Sequence, residues 1–75
     1  MTKKEKYTFE TKIRGFRADA RMTQQDLADA VGVSRQTIMQ LENNKYNPSL
    51  LLAYAIAEVF DISIYDIFLF GEEEK

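Results

Sequence analysis

Thr23-Gln24-Gln25-Asp26-Leu27-Ala28-Asp29-Ala30-Val31-Gly32-Val33-Ser34-Arg35-Gln36-Thr37-Ile38 is the stretch on which the fold turns. Thr23 with Asp26 three residues on is an acidic variant of the capping box and predicts a helix start. Leu27, Ala28 and Val31 recur at helical spacing and give that helix one inward face. Gly32 stands where a helix stop needs a left-handed residue. Ser34, only two residues later, predicts the N-cap of a following helix that runs to about Glu42, with Ile38 and Leu41 facing inward.

Working outward, Ile13, Phe16 and Ala20 recur at helical spacing and predict a first helix from about Thr11 to Ala20. Asn43-Asn44-Lys45 ends the third helix, since asparagine tolerates the left-handed conformation. Asn47-Pro48 predicts the next start, with asparagine at the cap and proline at the first helical position. Leu50, Ala53, Ile56, Ala57 and Phe60 are its expected buried stripe. Ser63-Ile64-Tyr65-Asp66 repeats the cap-plus-acid pattern and opens a short fifth helix through about Phe68. Tyr7-Thr8-Phe9 and Phe68-Leu69-Phe70 are short, aromatic and alternating, so they are candidates for two brief terminal strands that pair. The expected fold class is all-α, with five helices and these strands as an addition. Three glycines and one proline leave no linker, so a single domain is expected over 1–75, with its core at about 11–68 and terminal segments 1–10 and 69–75.

Composition narrows the function. The chain has 75 residues, 45% hydrophobic and 29% charged, which is the balance of a globular domain. Cysteine and histidine are both absent, which removes thiolate and imidazole chemistry and the common zinc sets. There is no glycine-rich phosphate loop, so no enzyme, metal or cofactor is expected. The longest apolar run, Leu50 to Ala57, is too short to span a bilayer, and no apolar signal core follows the basic start, so neither a membrane partner nor export is expected. The net charge of -2 argues, taken alone, against nucleic acid. It hides a gradient. Residues 1–21 hold seven basic and three acidic side chains, residues 22–47 two and three, and residues 48–75 one and six. That asymmetry suggests a basic working face and an acidic remainder.

The short turn at Gly32-Val33 between the second and third helices predicts helix-turn-helix geometry. In such a unit the second helix can enter the major groove of DNA. Its outward face here carries Ser34, Arg35, Gln36, Thr37 and Gln40. Arginine pairs bidentately with guanine and glutamine with adenine, so these side chains are able to read bases.

The run from Thr23 to Ile38, followed by Glu42-Asn43-Asn44-Lys45-Tyr46-Asn47-Pro48-Ser49-Leu50, resembles the Cro/CI-type (lambda-repressor-like, XRE) helix-turn-helix family, over roughly residues 13–68. The resemblance implies a compact, cytoplasmic transcriptional regulator that binds double-stranded operator DNA. It implies base contacts for Arg35, Gln36 and Gln40, with Thr37 placed against a thymine methyl. Gln24 matches a glutamine that bonds a phosphate and steadies the recognition helix. Ser34, Asn43 and Lys45 match phosphate-contacting positions. Arg17 and Glu42 match a structural ion pair that joins the first helix to the end of the third. Two departures stand out: Arg21 occupies a usual glycine position, where it is expected to face a phosphate, and Asn43-Asn44 replaces a common Asn-Gly. Leu51, Tyr54, Tyr65, Phe68, Leu69 and Phe70 are expected at a homodimer surface, which would place two recognition helices on a palindrome. A repressor acting by occupancy, with no small-molecule ligand, is the expected function. The alternative is an antitoxin-type or other protein–protein module on the same fold.

Overall fold

The computed structural model describes residues 7–72, in the order β1 (Tyr7–Thr11), α1 (Ile13–Ala20), α2 (Gln24–Val31), α3 (Arg35–Glu42), α4 (Leu50–Val59), α5 (Ile64–Ile67) and β2 (Phe68–Glu72). Side-chain hydroxyls start four of the five helices. In α2 the capping box is complete: Asp26 N–H donates to Thr23 Oγ1 at 2.9 Å, and Thr23 N–H donates to Asp26 Oδ2 at 2.9 Å. Ser34 Oγ accepts from Thr37 N–H at 3.1 Å to open α3. Ser63 Oγ accepts from Tyr65 N–H at 3.0 Å, and Asp66 answers to Ser63 N–H at 3.1 Å, to open α5.

Helix ends are equally local. Arg21, Gly32, Asn44 and Asp61 all have left-handed backbone, with φ of 58°, 82°, 60° and 57°. Behind each, a Schellman-type reach of five residues satisfies a final carbonyl: Met22 N–H to Arg17 O, Val33 N–H to Ala28 O, Lys45 N–H to Gln40 O and Ile62 N–H to Ala57 O. Only one of these four positions is glycine. Arg21, at the position where the resembled family usually has glycine, therefore carries backbone strain of roughly 1 kcal/mol.

Two helix boundaries and one buried face differ from expectation. α1 begins at Ile13, because Thr11 lies in β1 and its hydroxyl instead accepts from Ile13 N–H at 3.2 Å. Ala20 at its far end is exposed. α4 is capped by Ser49, whose Oγ accepts from Leu52 N–H at 3.1 Å; Asn47 and Pro48 lie in the preceding loop. The buried face of α4 is Leu52, Ile56 and Ala57, with Ala53 and Phe60 half-buried, whereas Leu50 is 77% exposed. The cause is helical phase. Spacing by three drifts about 60° per step on a helix of 3.6 residues per turn, so six residues before Ile56 the chain has turned away from the core.

The terminal strands form. β1 and β2 pair antiparallel, with Tyr7 opposite Glu72, Phe9 opposite Phe70 and Thr11 opposite Phe68. The expected all-α class thus becomes five helices plus a two-stranded sheet. Phe68, expected in α5 and at the dimer surface, begins β2 instead and is 2% exposed, its ring edge-on to Phe9 at 6.0 Å between centroids. It is spent on the chain's own core. That core draws Ile13, Leu27, Ala28, Ile38, Leu41, Ile56 and Ile67 from all five helices. With no side chain beyond Cβ, wholly buried Ala28 lets α2 pack closely against its neighbours; extra methylenes there would cost about 1–3 kcal/mol.

Candidate nucleic-acid interface

α3 divides sharply by face. Ile38 and Leu41 are wholly buried, while Arg35 and Gln36 are exposed and Thr37 and Gln40 half-buried. Gln36 and Gln40 make no side-chain hydrogen bond among the described residues, so each amide keeps its donors and acceptor for a ligand. Ser34 Oγ lies 3.0 Å from Thr37 Oγ1, so these two hydroxyls are tied to each other and to the helix cap.

The other end of α3 anchors the whole unit. The Glu42 side chain is 1% exposed and is gripped by Arg17, whose Nε lies 2.6 Å from Oε2 and whose Nη2 lies 3.2 Å from Oε1. Arg17, 14% exposed, spends Nη1 on Met22 O at 2.9 Å. Gln24 Nε2 donates to Glu42 Oε1 at 3.1 Å, and Gln24 Oε1 accepts from Arg35 Nη1 at 3.1 Å. The amide of Gln24 therefore bridges the first residue of α3 to the last. Burial by itself would raise the Glu42 carboxyl; the hydrogen bonds from Arg17 and Gln24, with the charges of Arg17 and Arg14, outweigh it and hold it below its ordinary value of 4.5.

Gln24, Arg35, Arg17, Glu42 and Asn43 are thus joined into one continuous network, completed by Arg14, which the sequence reading did not single out. Asn43 Oδ1 accepts from Arg14 Nη2 at 3.4 Å. The only signal for Arg14 in the sequence is its place three residues before Arg17, on the same face of α1. Lys45 is exposed just past the end of α3, and Arg21 is exposed at the end of α1, outside the network. Leu51, Tyr54, Tyr65, Leu69 and Phe70 are all exposed on α4, α5 and β2. The Tyr65 and Phe70 rings meet edge-on at 5.9 Å. Beside them an apolar groove of about 260 Å³ is lined by Phe9, Pro48, Leu50, Ala53, Ile64 and Phe70 among others. Among the described residues no helix is long and apolar enough to cross a membrane, and no group of three acidic side chains is gathered to hold a metal ion.

A family model described as helix-turn-helix matches residues 13–67, from the first residue of α1 to the last of α5. An uncharacterized HTH-type transcriptional regulator of Archaeoglobus fulgidus is 61% identical over 64 residues, covering 85% of this chain and 90% of the relative. The solved structure of the transcriptional regulator VanUg is similar with a TM-score of 0.74 at 27% identity, over 97% of each chain. That of the clp gene regulator ClgR from Corynebacterium glutamicum gives 0.68 at 31% identity over 72% of this chain, which spans 57% of the ClgR chain. On the match from α1 to α5 and the identity to the Archaeoglobus protein, the chain belongs to the Cro/CI-type helix-turn-helix family.

Proposed function

We propose that this protein is a sequence-specific DNA-binding transcriptional regulator in which α2, the turn at Gly32–Val33 and α3 form the helix-turn-helix, and α3 lies in the major groove. The observation that carries this reading is the division of α3: an inner face of fully buried aliphatic side chains and an outer face of exposed Arg35 and Gln36 with Gln40 behind them. Arg35, Gln36, Thr37 and Gln40 read base edges; Gln24, Ser34, Asn43, Lys45 and Arg21 hold phosphates. Arg17 and Glu42 fix α1 to the end of α3 and stay out of the DNA.

The working species is a homodimer on a palindromic operator, acting as a repressor by occupying it. Support comes from the apolar surface opposite in character to α3. Leu50, Leu51, Tyr54, Tyr65, Leu69 and Phe70 are all exposed, and of these Leu50 and Phe70 line the groove. A standard interface covers roughly 800 Å² per partner, and exposed apolar side chains of this size are the ones a second copy would cover. The same patch would serve a protein–protein module on this fold; a clean monomer by sedimentation at high micromolar concentration would remove the homodimer and favour that second reading.

Selection of bound fragments from random duplex DNA tests the function. The expected product is a palindrome whose half-site centres are about 34 Å apart. No enriched sequence would overturn base reading, and a single unrepeated site would overturn the dimer.

A further inference from the structure

We propose that Arg14 is a further phosphate-contacting residue of this interface, an inference that rests on the DNA-binding reading above. Glu42 is already neutralised: Arg17 holds both carboxylate oxygens, at 2.6 and 3.2 Å, and Gln24 adds a third bond at 3.1 Å. Arg14 is the surplus cation. Its side chain is 68% exposed, and its Nε lies 3.6 Å from Glu42 Oε1, beyond hydrogen-bond range. Among the described residues its one side-chain hydrogen bond is a long one, Nη2 to Asn43 Oδ1 at 3.4 Å. Two guanidiniums face one carboxylate, so the cluster carries one unit of positive charge, and the exposed member carries it into solvent.

The placement gives that charge its use. Asn43 ends α3, and Lys45 stands two residues beyond it, so Arg14 adds a second open cation where the end of α3 meets the start of α1. The Asn43 contact holds the guanidinium at that junction while leaving most of its five donors free, and a guanidinium presents paired donors that match phosphate oxygens. An exposed ion pair contributes little in water, so turning Arg14 from Glu42 to a phosphate leaves the Arg17 grip intact.

The test measures affinity for a mixed-sequence duplex of about 30 bp, and for a duplex from the selection above, between about 50 and 200 mM KCl. Parent, Arg14→Gln and Arg14→Lys proteins are compared, with their melting temperatures. Loss of one phosphate contact lowers the slope of log K against log salt by about 0.9, so the deficit of Arg14→Gln narrows by about 3.5-fold across that range. The deficit is the same on both duplexes, Arg14→Lys keeps the parent slope, and melting is unchanged. A parent-like slope for Arg14→Gln overturns the proposal, and with a lowered melting temperature it assigns Arg14 to the fold. A loss confined to the selected duplex also overturns it, in favour of a base contact. Absence of salt-dependent binding by the parent protein would instead overturn the DNA-binding reading itself, a distinct failure.

Discussion

Glu42 is ionised inside the protein because three side chains meet it there, and its ionisation makes the fold sensitive to acid. Its folded carboxyl sits below the ordinary 4.5, so in the interval between the two values the unfolded chain holds more protons than the folded one. Stability from this group is complete above about 4.5 and is lost as pH falls through the lower folded value. Glu42→Gln should cost about 1.5–3 kcal/mol at neutral pH, the range for hydrogen bonds to charged groups. The difference in melting temperature between parent and variant should close as pH drops below about 4.5; a constant difference would show that the charge contributes nothing. On the opposite face of the network, Gln36→Ala should remove about 1–3 kcal/mol of discrimination at one base pair. Equal losses on specific and random duplexes would sink that role. At this scale the left-handed Asn44 was readable from its residue type, while the Arg17–Glu42 pair and the unusual place of Arg21 were readable only through the family resemblance. The double bond of the Gln24 amide was not readable, because it depends on how α2 and α3 settle against each other. Arg14 was missed for the same reason, being an ordinary charged residue until α1 is laid beside Asn43.

Four of the five helix starts are a hydroxyl meeting an N–H two or three residues away, which is why Thr23, Ser34 and Ser63 could be placed from sequence alone. For α4 the sequence points to Asn47-Pro48 as the start, a cap followed by a first-turn proline, and the structure starts the helix two residues later. The choice is decided by the loop, which leaves Ser49 rather than Asn47 in reach of the first turn. Ser49→Ala should therefore destabilise the protein by about 1 kcal/mol, while Asn47→Ala should leave it nearly unchanged; thermal or urea melting separates the two. The reversed pattern would restore the earlier start. Leu50-Leu51-Leu52 could not announce its own phase, since an unbroken apolar run holds no polar residue to mark the outer face. The strands and their pairing were readable as candidates from two aromatic, alternating segments at either end of the helical block, and only the register, with partners some sixty residues apart, had to come from the structure.

For the molecule as a whole, charge and apolar surface are sorted to different places. Among the described residues, the acids Glu58, Asp61, Asp66 and Glu72 are exposed on the same α4–β2 half as the surface assigned to self-association, whereas Arg14, Arg17, Arg35 and Lys45 lie on α3 or against its end. The net charge of -2 then limits affinity for random DNA without opposing a specific site, since phosphate neutralisation supplies most non-specific binding. Leu51→Asp tests the assignment. Leu51 is 78% exposed, so its replacement should change the protomer's own stability by no more than about 0.5 kcal/mol. It should nonetheless yield monomers by sedimentation and weaken operator binding by much more than random binding; a variant that still dimerises would move the interface elsewhere. The pairing of Tyr7 with Glu72 has a consequence of another kind. It sets the two ends of the described chain side by side, about one strand spacing of 4.8 Å apart. The path is therefore nearer to a ring than to a line. Opened in the loop after α3 and rejoined across β1 and β2, the same residues would trace the same core in a different order, and any segment fused to either end would leave the molecule from one shared doorway.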